Sequence, residues 1–190
     1  MKPTLVQYEA PGWGVGEVWL DDDGRVFYSE LPRPKRPPPG SDPGDDLTRQ
    51  STAVVAGEPA DPTDVPLSPK QPPPGSDPGD VLAGRLTAFF AGKPDDFADV
   101  PLRLEEHGFY GDCAKALRGV RRGEVVTYGE LAALAGYPGA ARAAGTFCAR
   151  CELAPFLPVH RVVAANGIGS WGTSGVDYKR RLLELENVAF

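Results

Sequence analysis

Three cysteines, one arginine set among small residues and a glycine-rich turn are the places in this 190-residue chain where residue type alone suggests chemistry. Cys148 and Cys151 spell CARC, a CxxC by letter. A redox pair usually follows a strand at a helix start, where the helix N-terminus lowers one thiol pKa. This pair falls at a predicted helix end, which argues against redox chemistry, and no spacing suits zinc. Cys113 shares a predicted helical face over 109–122 with Phe109, Leu117 and Val120, and reads as a small buried hydrophobe. Arg142 differs, because Gly139, Ala140, Ala141, Ala143, Ala144 and Gly145 leave almost no side-chain bulk around it. Such a surface lets a helix approach a partner closely while one guanidinium projects. Tight helix packing beside an ordinary surface arginine explains the composition equally well. Gly167 to Gly172 spells GxGxxG. A dinucleotide site needs that motif at the first turn of a strand–helix unit, with an acid about twenty residues on, so here it reads as a turn.

The segment GEVVTYGELAALAGYPGAARAAGTFCAR positions several of these groups. Thr127 and Glu130 form a predicted capping box. Leu131, Leu134 and Ala135 give a short apolar face, Gly136 ends the helix, and Pro138 suits the first turn of a second helix over 138–150. Two short helices around a tight turn predict a helix-turn-helix, a shape that on its own need bind nothing. Upstream, 16–20, 21–24 and 25–28 read as strand, turn and strand. A last helix is predicted from Ser174 and Asp177, with Leu182, Leu183 and Leu185 on its apolar face.

The first half holds a duplication: PKRPPPGSDPGDDL returns as PKQPPPGSDPGDVL, and AGEPADPTDVPL as AGKPDDFADVPL. The copies span 34–67 and 69–102. Leu82, Leu86, Phe89 and Phe90 place a structural helix in the second copy, whereas Arg49, Gln50 and Ser51 interrupt that face in the first, which reads as an insertion. The PPPGSDPGD segments should be extended or turn-like. Net charge is −6, but unevenly divided: 1–102 carry 9 basic and 17 acidic residues, 103–190 carry 11 and 9. Any nucleic-acid face should lie in the second half and bind in a salt-sensitive way. No run of about 18 apolar residues predicts a membrane span. The N-terminus lacks the apolar core of a signal peptide, so the expected location is cytoplasmic, and nucleoid-associated when bound to DNA.

Four stretches in order, FFAGKPDDF, VVTYGELAALAGYPGAARAAG, PVHRVV and YKRRLLELE, give the chain its resemblance to the O6-alkylguanine-DNA alkyltransferases over about 82–190. The resemblance implies an α/β protein: a small N-terminal β-hairpin or sheet plus helix domain over 1–105, then a mostly helical, winged helix-turn-helix-like domain over 106–190. It implies that Arg142 occupies the space of a flipped nucleotide, with Ala141, Ala143 and Gly145 on a helix docked in the minor groove. It gives Tyr128 a contact to the flipped base, His160 and Glu186 the pair that activates the acceptor thiol through water, and Arg161 a tie from the active-site strand to its surroundings.

The departures are as informative. The family pattern PCHRV reads here with Val159 in place of the cysteine that takes the alkyl group. A valine has no lone pair and no ionisable proton, so it cannot be a nucleophile. Cys151 replaces an asparagine of the turn before that strand, and Gly172 and Thr173 replace a tyrosine and a serine of the pocket. Gly172 should open the pocket and Trp171 should partly refill it. Within the family, alkyltransferase-like proteins lack the cysteine, bind lesions and mark them for nucleotide excision repair. The resulting expectation is a monomeric, cofactor-free and metal-free binder of double-stranded DNA containing alkylated guanine, acting with nucleotide excision repair proteins. Two alternatives stand beside it: a transferase using Cys151 as acceptor, and an interaction scaffold working through the Pro-rich repeats.

Overall fold

The computed structural model describes residues 3–34, 77–172 and 174–190. The first repeat beyond Pro34, the lead-in of the second as far as 76, and Thr173 lie outside the described residues, as does the reading of the first copy as an insertion. Among the described residues the fold is an α/β mix of a three-stranded antiparallel sheet, a two-stranded parallel pair and five α-helices. Strands β1 (Thr4–Ala10), β2 (Gly14–Leu20) and β3 (Val26–Arg33) pair in that order. The predicted hairpin is therefore β2–β3, and β1 is an addition to it. Asp21 closes the hairpin by accepting from the backbone N–H of Asp23 and Arg25 at 3.1 and 2.9 Å.

One sheet face is apolar by strict alternation: Val6, Tyr8 and Ala10 of β1 and Val18 and Leu20 of β2 are buried. Helix α1 (Pro78–Phe90) covers it with the four side chains expected, Leu82, Leu86, Phe89 and Phe90. Asp77 caps α1, its side chain accepting from Gly79 N–H at 2.7 Å, with Pro78 in the first turn. The end of the second PPPGSDPGD segment is thus the start of a helix, contrary to the extended reading. Aspartate before proline is a cap as readily as a turn, and the apolar face that follows decides between them. A side chain at Gly79 would press within 3.0 Å of Val6, so glycine allows the helix to approach the sheet.

Helices α2 (Phe109–Arg118), α3 (Tyr128–Leu134) and α4 (Ala141–Arg150) follow. Helix α2 ends earlier than its periodicity suggests, at Gly119, yet Cys113, Leu117 and Val120 are buried as expected. Both halves of the Thr127–Glu130 capping box form, at 3.1 and 2.7 Å. Helix α4 starts at Ala141 rather than Pro138, because Gly139 adopts φ +88° and breaks the helical path. Pro138 belongs to the connecting turn.

The PVHRVV stretch is only partly a strand. Val159–Arg161 form a 3-10 turn, and just Val162–Val163 (β5) pair, in parallel, with Val126–Thr127 (β4). Helix α5 (Gly175–Leu185) closes the fold, burying Leu182 and Leu183. Ser174 precedes it without the side-chain cap expected there. Trp13 meets Phe90 at 5.2 Å and Tyr178 of α5 at 4.9 Å, and Ser29 N–H donates to Glu152 O at 2.7 Å. The described parts of 1–105 and 106–190 therefore share one apolar cluster.

Candidate functional site

A cavity of about 270 Å³ opens where α3, α4, the 3-10 turn and the loop before α5 meet strand β3. Tyr128, Gly145, Val159, Trp171 and Gly172 all line it, so residues up to 44 positions apart in sequence share one wall. The hydroxyl of Tyr128 donates over 3.5 Å to Ser170 O. A side chain at Gly172 would meet nothing within 4 Å. Trp171 lies partly buried and stacks on the His160 ring, at 6.0 Å between centroids and 22° between planes.

Arg142 is exposed in the first turn of α4 beside exposed Ala141 and Ala143. Ala144 and Phe147 of the same helix face the core. Ala141 and Ala143 thus form a solvent-facing surface with one cation, and the core-packing account holds for Ala144 and, in part, Ala140. Ala140 at the N-cap supplies no side-chain acceptor, leaving first-turn amides of α4 available to an anion.

Behind Val159 lies a fully buried polar cluster. His160 Nε2 and Glu186 Oε1 are 2.8 Å apart. Arg161 donates to both oxygens of Glu186, from Nε at 2.9 Å and Nη2 at 2.8 Å, and from Nη1 to Val120 O at 2.6 Å. Gly123 N–H adds a third donor residue, and a fourth bond to this carboxylate, at 3.3 Å. Burial alone would raise the Glu186 pKa, but the bonds from His160 and Arg161 outweigh it and bring it down to about 2. Burial lowers the His160 pKa, and the Glu186 bond offsets only part of that. His160 is therefore neutral near pH 7, with the proton on Nε2 facing the carboxylate. Its Nδ1 is a buried lone pair with no partner.

The Glu186 arrangement has a measurable signature. A carboxylate held below its unfolded pKa of 4.5 stabilises the fold above that pH, and the contribution is lost as pH falls towards about 2. Glu186→Gln should cost about 3–5 kcal/mol at neutral pH, the range for breaking a buried ion pair. Its deficit relative to wild type should shrink across that acid window. Urea melts of both proteins measure the difference, and a deficit independent of pH would contradict the assignment.

Further groups lie in or beside the cavity, among them Cys151, the alternative acceptor named from the sequence. Cys148 and Cys151 both line the cavity, from the end of α4. Burial pushes their thiols up to about 12 and 11, so both are protonated at neutral pH. Lys179 donates to Val162 O at 2.5 Å and lies 5.9 Å from the Tyr128 ring, with its pKa lowered by burial to about 8. Its position one turn before Leu182 and Leu183 put a charge on a buried face, and that was the available signal. Ser29, Glu30 and Arg33 reach the cavity from β3. Thr173 lies outside the described residues. Among those residues no His, Cys, Asp and Glu cluster is arranged to hold a metal, and no helix is long and apolar enough to cross a membrane.

Residues 108–188 match the family model of the 6-O-methylguanine DNA methyltransferase DNA-binding domain. The methylated-DNA–protein-cysteine methyltransferase of Metallosphaera sedula is 42% identical over 84 residues, covering 44% of this chain and 52% of that protein. The chain spans about half the length of the curated relatives it matches. The crystal structure of Mycobacterium tuberculosis OGT in complex with DNA is similar at a TM-score of 0.64 and 28% identity, over 96% of this chain and 92% of that one. A variant of the same OGT aligns at 41% identity over 58% of this chain and 67% of that one, with a TM-score of 0.52. Together with the helix-turn-helix and the cavity behind it, these matches define an alkyltransferase-type DNA-binding fold. The chain belongs to the O6-alkylguanine-DNA alkyltransferase family.

Proposed function

We propose that the protein recognises O6-alkylguanine in duplex DNA, holds it flipped into the cavity, and marks it for repair without taking the alkyl group. The observation that carries this is Val159, an inert side chain in the cavity wall, directly beside an assembled His160–Glu186 pair with nothing to activate. In this reading the surface of α4 docks in the minor groove, its first-turn amides meet phosphate, and Arg142 fills the vacated stack. Tyr128 and the backbone of Gly172 meet the base. A lesion that pairs weakly is cheaper to extrude than a matched guanine, which supplies part of the selectivity. Recruitment of nucleotide excision repair proteins to the bound, distorted duplex is the downstream step. In this reading the protein acts as a monomer.

One observation favours a second reading. Cys151, the alternative acceptor, does line the cavity, and so does Cys148. Both thiols are held protonated by burial, which leaves neither activated. The Pro-rich scaffold reading falls mostly on 35–76, outside the described residues. One experiment separates all three. Duplexes with and without a single O6-methylguanine are titrated at low salt, and the protein is then weighed intact. Preferential lesion binding with unchanged mass is expected. Equal binding to both duplexes removes the proposal. Gain of a methyl group that Cys151→Ser or Cys148→Ser abolishes would replace it with a relocated transferase.

A further inference from the structure

The cavity is not confined to the surroundings of Val159. It continues to strand β3, where its wall is made by Ser29, Glu30 and Glu152. Ser29 is only 7% exposed, and its Oγ has no hydrogen-bond partner. A buried hydroxyl without a partner loses the hydrogen bonds it would make in water, so this one is set to receive a ligand group. The Ser29 N–H bond to Glu152 O holds the strand against the segment after α4 and fixes the spacing of this wall. Glu30 is half-buried and Glu152 exposed. The opposing charge in the lining is Arg33, which turns to Ser174 Oγ at 3.5 Å. A side chain at Gly172 would meet nothing within 4 Å, so that part of the lining is open.

We propose that this outer end selects O6 substituents that terminate in a hydrogen-bond donor or cation, above all a primary ammonium, over apolar substituents of the same length. The proposal rests on the lesion-binding reading and adds a substituent class to it. An apolar chain reaching this wall strips water from the two carboxylates without replacing it and leaves Ser29 Oγ without a partner. An ammonium donates to the same groups.

Duplexes carrying one O6-(3-aminopropyl)guanine, O6-butylguanine, O6-methylguanine or plain guanine test it by direct titration. The first two differ only in an ammonium for a methyl. The amine should bind about fivefold tighter than the butyl adduct, the upper range for a partly exposed ion pair. That ratio should shrink as salt is added. Glu30→Gln with Glu152→Gln should bring it to within about twofold. Comparing ratios cancels the general gain in DNA affinity from removing two negative charges. Equal or weaker binding of the amine by wild type overturns the proposal whatever the variant does, and so does a ratio that survives the double substitution. If O6-methylguanine is preferred over guanine in either case, the underlying reading stands while this one falls. If it is not preferred, both fall.

Discussion

Val159→Cys should turn the protein into a stoichiometric alkyl acceptor. The new thiol would lie beside an imidazole that is already neutral and oriented, since Glu186 holds the Nε2 proton and leaves Nδ1 unprotonated and without a partner. Nδ1 is then the base that takes the thiol proton, directly or through one water. The thiolate attacks the alkyl carbon, a carbon–sulfur bond forms, and the bond from that carbon to O6 breaks. The electron pair stays on guanine, which is protonated to its normal form. Valine and cysteine are close in size, so the cost in stability should be about 1 kcal/mol. Intact mass after incubation with O6-methylguanine duplex reads the result: a methyl group gained by Val159→Cys and none by wild type. Adding His160→Ala should slow the transfer by about 100-fold or more, the usual contribution of a positioned base. A Val159→Cys protein that binds the lesion like wild type and gains no mass would show that the buried pair is not poised for chemistry.

Arg142→Ala should weaken binding to O6-methylguanine duplex by about 1–3 kcal/mol, roughly 5- to 150-fold, with little effect on the melting temperature. The side chain is exposed on a surface of alanines, so its removal leaves no cavity and uncovers no buried group. Replacement by lysine should recover only a fraction, because an ammonium supplies charge without a planar face to stack in the gap. Recovery equal to the wild-type level would reduce Arg142 to a phosphate contact. Fluorescence anisotropy with lesion and control duplexes distinguishes these outcomes, and circular dichroism confirms the fold.

The parts of the fold that rest on local chemistry could be read in advance. The Thr127–Glu130 capping box and the apolar face of α1 depend on residues three or four apart, and both form as expected. Strand β1 was legible and overlooked, since Val6, Tyr8 and Ala10 alternate with Gln7 and Glu9. The start of α4 was misplaced because Pro138 satisfies a first-turn rule, while the backbone of Gly139 decides the matter one residue later. The 3-10 turn at Val159–Arg161 follows from tertiary bonds to Glu186 and Val120 that no local pattern encodes. For the same reason the wall formed by Ser29, Glu30 and Glu152 was out of reach. It is assembled from a strand and a loop about 120 residues apart, and neither carries a motif.

The carboxylate of Glu186 serves two masters. It orients His160, and it neutralises Arg161, whose remaining donor holds the Val120 carbonyl between α2 and β4. A lineage that lost the acceptor thiol could not afterwards discard this glutamate without leaving a buried guanidinium unpaired. Persistence of the glutamate is therefore expected from folding alone, and it is no memorial of chemistry under selection. The exposed small-residue surface around Arg142 has no such structural duty, so that surface, more than the buried pair, is where continued use of the protein on DNA would leave its mark.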